Sequence, residues 1–581
     1  MALHLAIVGL VDRHEREWFW WILETSGTQV SPTNPHTEGP VQAGGIHVTE
    51  LVFLLLLFFV VSFAVLARRL QTPYPIVLVV AGLFLSFIPG TPHVQLNPDV
   101  VFLVVLPPLL YAAAWQTSWR EFRFNMVGIF MLAFGLVGFT VLGVALVAPL
   151  VFRGFDWRLG AVLGAVVATT DAIAATAIAK RVGLPRRIID ILEGESLVND
   201  ASGLVALEFA VAALVGARTA TWSGGLLRLV YSVVVGLLAG LLIGLVVEWF
   251  EQFVEDGPIE ITLSIMVPYA TYLAAEAMRA SGVLGVVACG LYLSRKSSEF
   301  FSPAVRIQAW AFWEAVTFLL NGLVFVAIGL QLPYVLGEIH DFRFGVLVVY
   351  GLLFSAILIV LRLLWMYPGA YVAYFVRNRI FHHNVQVPSR KQIFVVGWTG
   401  MRGVVALAAA ISLPYTLSDG TPFPQRNFIL FLTFSVILVT LVLQGLSLPS
   451  LIRALGLSGA EGPDCEEAEA RSLMLKAAIE HLEKKRGVKS EDFASVSEEL
   501  LRLYRQRLEG AEQDACATPE RSSVLAKRVE LIRELARVER QTAVQLRNQG
   551  RINDEVLREL QYELDLTETK YALASRRMKR A

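Results

Sequence analysis

The chain has 581 residues, of which 55% are hydrophobic and 17% are charged, and its 50 basic side chains balance its 50 acidic ones. Soluble domains carry about 25% charged residues, so this composition, with a mean hydropathy of +0.57, excludes a soluble protein over most of the chain. The last 121 residues hold 24 acidic and 23 basic side chains, nearly half of all the charges. We therefore predict a membrane domain followed by a soluble one, and the zero net charge gives no reason to expect a nucleic-acid partner.

The membrane domain contains about thirteen apolar segments that are candidates to cross a bilayer. A transmembrane helix needs about 20 mostly apolar residues for roughly 30 Å of hydrocarbon. The segments predict an all-α, polytopic membrane fold. They lie near residues 46–67, 74–89, 100–115, 126–152, 159–180, 187–214, 226–249, 259–279, 281–295, 310–333, 345–367, 392–413 and 427–449.

Lysine and arginine residues are concentrated in alternate connections between these segments. They cluster at Arg68–Arg69, at Arg120 and Arg123, at Lys180–Arg187, at Arg295–Lys296 and from Arg377 to Lys391, whereas the opposite connections carry few. Because basic loops remain in the cytoplasm, we expect a multi-pass protein of the cytoplasmic (inner) membrane, with its N-terminus outside and its tail inside. One connection, Glu251–Glu260, is acidic and disagrees with this orientation.

Three domains follow from these patterns. Residues 1–45 are a leader of unclear role, residues 46–455 are the membrane domain, and residues 456–581 are a charged helical tail on the cytoplasmic side. In the tail we predict helices at Asp464–Arg486 and Ser490–Leu508. A third is opened by Pro519 and ended by Gly550, because proline favours the first turn and glycine the end of a helix. A fourth starts at Asn553–Asp554.

Cysteine and histidine positions argue against an enzyme. The three cysteines are scattered without a CxxC spacing, so neither a disulfide framework nor a zinc site is indicated. None of the nine histidines falls in the middle of a predicted span, which disfavours an intramembrane hydrolase that needs a base or metal ligands. No phosphate-binding glycine loop occurs in the tail. We expect no enzymatic activity and no cofactor.

Three ionisable residues fall near the midpoints of predicted spans. Asp171 lies in span five, Asp200 in span six and Arg402 in span twelve. Ionisable groups inside a bilayer cost a few kcal/mol each on insertion scales and indicate function by default. Their similar depth predicts one buried site near the middle of the membrane.

The spacing of polar residues around Asp200 suggests a cation site. Ser196 and Asp200 are four residues apart on one helix face, Asn199 lies beside them, and Glu195 occupies the adjoining face. Hydroxyl, amide and carboxylate oxygens are the ligands that hard cations prefer. Any one of these residues could instead form only a structural hydrogen bond between helices. This alternative is less favoured when all of the residues are considered together.

Spans five and twelve both contain residues that interrupt a helix. Thr169–Asp171 and Gly397–Gly400 compete for backbone hydrogen bonds or loosen the helix. Transporters built from inverted repeats place broken helices at corresponding positions in their two halves, and spans five and twelve correspond if spans 1–6 and 8–13 are the repeats.

The Arg402 guanidinium needs a buried partner because it does not deprotonate. We predict a structural ion pair with Glu195, with Glu193 as the alternative. Glu314, with Asn321 nearby, is interpreted as structural, and the pattern gives no role to Glu208.

Four motifs resemble the Na+/H+ antiporters of the bacterial NhaP and animal NHE branch. They are LPPLLY at Leu106–Tyr111, ATTDA at Ala168–Ala172, EGESLVND at Glu193–Asp200 and GWTGMRG at Gly397–Gly403. The resemblance covers about residues 46–455. It implies thirteen helices in inverted repeats with broken, crossing helices, a homodimer, and an ion-carrying core that moves against a dimerisation part.

The resemblance also implies roles for individual residues. Asp200 resembles the carboxylate that binds the ion and the proton, with Thr170, Asp171 and Ser196 as further ligands of the transported Na+. Asn199 resembles the asparagine that marks electroneutral members. The expected function is 1:1 exchange of Na+ or Li+ for H+, by competition at Asp200, in pH and sodium homeostasis. K+/H+ exchange is the alternative, and a transporter-like sensor is a further one.

Overall fold

The computed structural model describes residues 44–88, 98–215, 222–254, 256–337, 343–380, 387–417, 421–457, 464–486, 491–514 and 519–578, together with residues 339 and 382. Apart from one isolated bridge between Thr416 and Pro422, these residues form helices and their connections, so the predicted all-α fold is confirmed. Residues 60–581 form one unit, and of the preceding unit, residues 1–59, only the first turns of one helix are described. Most of the predicted leader, residues 1–45, lies outside the described part.

The described residues in the first half of the membrane domain form nine helices. They are α1 (Gly44–Arg69), α2 (Tyr74–Ser86), α3 (Leu106–Gln116), α4 (Trp119–Phe130), α5 (Val137–Val151), α6 (Trp157–Val166), α7 (Ala172–Val182), α8 (Arg186–Val215) and α9 (Trp222–Glu251). Short π-helical segments, Val100–Val105 and Met131–Leu136, lead into α3 and join α4 to α5.

A further nine helices are formed by the part of the second half that the structure describes. They are α10 (Gly257–Ala277), α11 (Gly282–Phe300), α12 (Pro303–Leu330), α13 (Leu332–Gly337), α14 (Phe344–Arg379), α15 (Arg390–Trp398), α16 (Val404–Ile411), α17 (Arg426–Val439) and α18 (Gly445–Ala454). A π-helical segment, Thr440–Gln444, joins α17 to α18.

Six helical stretches are both long and apolar enough to cross a membrane, counting only the described residues. Leu142, Leu146 and Leu150 on one of them are 66%, 71% and 84% exposed. Since they repeat every four residues on one helix face, they form an apolar stripe of the kind that faces lipid. The other predicted spans are not among these six stretches, so the count of thirteen stays a prediction. The six stretches are Trp119–Val151, Arg186–Val215, Leu227–Glu251, Pro303–Gly337, Phe344–Arg379 and Arg426–Ala454.

The predicted interruptions of spans five and twelve are confirmed. Span five separates into α6 and α7, and Asp171 begins α7 as its N-cap, accepting a hydrogen bond from the backbone N–H of Ile173 at 2.8 Å. Span twelve separates into α15 and α16. The two breaks touch, because the backbone N–H of Asp171 donates to the carbonyl of Met401 at 2.9 Å.

Helix α8 is buried along most of its length and carries the predicted site. It packs against α4, α6 and α7. Glycines at two of these contacts allow close approach, since a Cβ on Gly194 would lie 2.4 Å from Ile129 of α4 and one on Gly203 would lie 2.4 Å from Thr169. The break between α6 and α7 is thereby held against the middle of α8.

Where the structure describes it, the tail forms four helices that pack in consecutive pairs. These are α19 (Asp464–Arg486) with α20 (Glu491–Asp514), and α21 (Pro519–Asn548) with α22 (Asp554–Met578). Gly550 ends α21 in a left-handed conformation, with φ of 69°, and the Asn553 side chain caps α22 by accepting from the N–H of Val556 at 2.8 Å. The predicted tail helices are confirmed, with α20 extending beyond the predicted Leu508.

Candidate functional site

A cavity of about 360 Å³ lies where the break between α6 and α7 meets α8, α12 and α16. Four of the predicted ligands line it: Thr170, Asp171, Ser196 and Asp200. Lys180 and Glu193 also line it, at the partly exposed end of α7 and α8. The cavity therefore extends from a partly exposed mouth to the buried carboxylate of Asp200.

The carboxylates of Asp171 and Asp200 both line the cavity, but they differ in their hydrogen bonds. Oδ1 of Asp171 caps α7. Oδ2 lies close to the backbone of Gly403, only 2.4 Å from the position that a Cβ on residue 403 would occupy. Asp200 is only 7% exposed and near enough to Asp171 for their charges to interact. Within the described residues, the Asp200 carboxylate accepts no hydrogen bond, so it stays available to a proton or a cation.

A buried hydrogen-bond chain connects α8 to the break. The Thr170 hydroxyl donates to Oε1 of Glu195 at 3.0 Å, and Nδ2 of Asn199 donates to the Thr170 hydroxyl. The Ser196 hydroxyl accepts from the backbone N–H of Ala172 at 3.4 Å. Asn199 thus holds Thr170 in place instead of lining the cavity, whereas Ser196 both supports the start of α7 and presents its oxygen to the cavity.

The predicted ion pair between Glu195 and Arg402 is wrong. Glu195 is 1% exposed and pairs with Arg362 of α14, whose Nη1 and Nη2 donate to the two carboxylate oxygens at 2.6 and 2.9 Å. This two-point geometry is the strong form of a carboxylate–guanidinium contact. The alternative partner, Glu193, pairs instead with Lys180 at 2.7 Å.

Arg362 and Arg402 each donate to backbone carbonyls at the end of a broken helix. Arg402 donates from Nη1 to the carbonyls of Ala168 and Thr169, both at 3.1 Å, just after α6 ends. Arg362 donates to the carbonyls of Val396 and Gly397 at 3.2 and 3.1 Å, in the last turn of α15. Helix C-termini leave unpaired carbonyls and partial negative charge. The arginines therefore stabilise both breaks, and Arg402 does so without a carboxylate.

Three further residues at the site were not predicted as functional. Arg362 lies in an apolar stretch of α14, and a charged residue at such a position is a sequence signal for a functional or structural role. Thr317 and Asn321 of α12 line the cavity opposite Asp171 and Asp200. Asn321 is 2% exposed and its Nδ2 lacks a hydrogen-bond acceptor among the described residues.

The other flagged acidic residues lie away from this cavity. Glu314 is exposed on the surface of α12. Glu208 lines a separate cavity of about 720 Å³ with Arg228, Glu276 and Arg279. Neither belongs to the Asp200 site.

Replacing Gly403 with alanine should selectively damage the site. The new Cβ would lie 2.4 and 2.5 Å from Oδ2 and Cβ of Asp171, and overpacking of this kind typically costs about 1–3 kcal/mol. We expect loss of most transport activity and a modest fall in melting temperature. Gly138→Ala is the matched control, because nothing lies within 4 Å of its Cβ position. Equal activities in the two variants would show that the contact with Asp171 is unimportant.

Comparison with known proteins identifies the family that this chain resembles. The family model for the sodium/hydrogen exchanger transmembrane domain matches residues 54–454. An uncharacterised Na+/H+ exchanger of Mycobacterium tuberculosis is 34% identical over 89% of this chain and 95% of its own length. The sodium, potassium, lithium and rubidium/H+ antiporter of Bacillus pumilus is 32% identical over 80% of this chain and 70% of its own.

A solved structure shows the same fold. The sodium proton antiporter MjNhaP1 from Methanocaldococcus jannaschii superposes with a TM-score of 0.52 at 19% identity, over 71% of this chain and 99% of that one. The motifs that resembled the NhaP and NHE branch lie within the matched region. The chain belongs to the transmembrane sodium/hydrogen exchanger family.

Proposed function

We propose that this chain is a secondary antiporter that exchanges Na+ or Li+ for H+, one for one, by competition at Asp200. The observation that supports this most is the contrast between two buried carboxylates. Glu195 is neutralised by Arg362, whereas Asp200 lines the cavity and accepts no hydrogen bond within the described residues. Because a buried carboxylate is costly unless neutralised, Asp200 favours a bound proton or a bound cation.

The count of charges at the site supports an electroneutral cycle. When all are ionised, Asp171, Asp200 and Glu195 carry three negative charges, and Arg362 and Arg402 carry two positive ones. One monovalent cation or one proton brings the sum to zero. Asn199 adds hydrogen bonding to Thr170 without adding a titratable group. The net charge of the site is therefore zero with either substrate bound, and this supports 1:1 exchange.

The oxygen atoms around the cavity suit a small monovalent cation. The carboxylates of Asp171 and Asp200 and the hydroxyl of Ser196 line it, and Thr170 contributes backbone at the break. Hard cations prefer oxygen ligands. Potassium remains a possible substrate, since the relative from Bacillus pumilus is named for sodium, potassium, lithium and rubidium. A transporter-like sensor is the remaining alternative, and it would bind ions without exchanging them.

The cellular setting is part of the proposal. The basic connections support an inner-membrane protein with its N-terminus outside and residues 456–581 in the cytoplasm. The cavity mouth at Lys180 and Glu193 would then open to the cytoplasm. We further propose a homodimer, residues 46–455 as the transporting domain, and a role in pH and sodium homeostasis.

Proton flux in proteoliposomes tests the proposal. Purified protein is reconstituted with a pH-sensitive dye inside, and Na+, Li+, K+ or choline is added outside in turn. We expect rapid proton movement with Na+ and Li+, none with choline, and the same rate when valinomycin and K+ clamp the membrane potential at different values. No flux with any alkali cation would favour the sensor. A rate that changes steadily with potential would require a second carboxylate, most plausibly Asp171, to carry a proton.

A further inference from the structure

A third cavity, of about 700 Å³, lies between the start of α4 and the ends of α11 and α14. Its lining contains four arginines and one carboxylate: Arg120, Arg123, Arg295, Arg377 and Glu121. No ion pair joins Glu121 to any of these arginines in the part of the chain that the structure describes. The cavity therefore has a strongly positive lining contributed by three helices.

Arg377 is the buried member of this set. Its side chain is 6% exposed, and neither Nε nor Nη2 has a hydrogen-bond acceptor among the described residues. The guanidinium lies over the ring of Phe124, 4.4 Å from the ring centroid, which holds it in place but does not neutralise it. A buried guanidinium with free donors is stabilised by a hydrogen-bond acceptor, and an anionic acceptor would also neutralise its charge.

The residues around the cavity indicate the source of an acceptor for Arg377. Phe124 and Phe130 of α4 are each 41% exposed, and Trp119 stands at the start of the same helix, stacked on Phe122. Tryptophan side chains concentrate where lipid headgroups meet hydrocarbon, and the exposed phenylalanines add apolar surface beside Trp119. The arginines stand at helix ends that the charge distribution assigns to the cytoplasmic side. The cavity thus joins a cationic rim to an apolar surface suited to acyl chains.

We propose that this cavity binds the phosphate of an anionic phospholipid headgroup from the cytoplasmic leaflet. Guanidinium groups match phosphate oxygens with two parallel hydrogen bonds, and basic pockets between transmembrane helices are suited to anionic headgroups. Arg377 supplies the buried donors, and Arg120, Arg123 and Arg295 supply exposed ones. A lipid held in this way would bridge α4, α11 and α14.

Native mass spectrometry of the purified protein tests this binding. The protein in detergent is titrated separately with phosphatidylglycerol, with zwitterionic phosphatidylethanolamine, and with inorganic phosphate. We expect retention of phosphatidylglycerol in preference to the other two, reduced about tenfold in Arg377→Gln, because the charged hydrogen bonds to the phosphate are lost. Arg123→Gln, at an exposed position, should also weaken retention and covers the case in which Arg377→Gln folds poorly.

Arg379→Gln is the matched control. Arg379 lies two residues along the same helix, is exposed and does not line the cavity, so its replacement should leave lipid retention unchanged. Equal losses in Arg123→Gln and Arg379→Gln would show only general attraction of charge and would overturn the proposal. Binding of inorganic phosphate with the same dependence on Arg123 and Arg377 would assign the site to a soluble anion instead of a lipid.

Discussion

Removing Arg362 should destabilise the protein more than removing Arg402. Arg362→Ala leaves Glu195 buried without its partner, and breaking a buried ion pair typically costs about 3–5 kcal/mol. Arg402→Ala removes hydrogen bonds to two backbone carbonyls, each worth roughly 1.5–3 kcal/mol when the donor is charged, whereas Arg362→Ala loses two such bonds as well as its ion pair. The free energy of unfolding in mixed micelles, measured with a chemical denaturant, gives both values.

A double-mutant cycle identifies the partner of Glu195 directly. The variants Glu195→Ala and Arg362→Ala should show a coupling energy of about 2–3 kcal/mol, in the range seen for residues that share a buried network. The same cycle with Arg402→Ala should give a much smaller coupling, because Arg402 donates to the carbonyls of Ala168 and Thr169 and not to Glu195. A larger coupling with Arg402 would contradict the pairing seen in the structure.

Replacing Asp200 with asparagine should abolish exchange without unfolding the protein. Asparagine has nearly the same size but cannot take up or release a proton in exchange for a cation. The buried carboxylate accepts no hydrogen bond within the described residues, so its loss leaves no donor stranded. We expect proton flux in proteoliposomes to fall to the rate of protein-free vesicles, with a melting temperature at or above that of the original protein.

Asp190→Asn is the control for this variant. Asp190 is on the same helix, α8, but nearer its partly exposed beginning and outside the cavity. Its replacement should leave the flux close to the original rate. Substantial flux in Asp200→Asn would exclude Asp200 as the exchanging group and would move that role to Asp171.

Local chemistry made the position of the site predictable from sequence. Asp171 and Asp200 are charged residues within apolar stretches, and the residues around Asp171 and Gly400 disfavour a continuous helix. These features depend on a few neighbouring residues, so they are readable without a structure. The structure confirms both interruptions and places Asp171, Ser196 and Asp200 around one cavity.

The partner of Glu195 was not predictable in the same way. Arg362 is 167 residues away in the sequence, and nothing in the local pattern of either residue specifies the other. Arg402 was the more obvious choice because it lies in a glycine-rich break. Its guanidinium is instead occupied by the carbonyls at the end of α6, an interaction with backbone that side-chain patterns do not show. Asn321 was missed as a cavity residue for a similar reason, because its position depends on how α12 packs.

The dependence of Na+ transport on pH tests competition at Asp200 most directly. Tracer Na+ uptake into proteoliposomes is measured over a range of Na+ concentrations, at equal pH on both sides and at several pH values. If one proton and one cation compete for one carboxylate, the half-saturating Na+ concentration should rise about tenfold for each unit of pH decrease in the acidic range, while the maximal rate stays constant. A half-saturating concentration that does not change with pH, with a maximal rate that falls instead, would contradict competition at a single group.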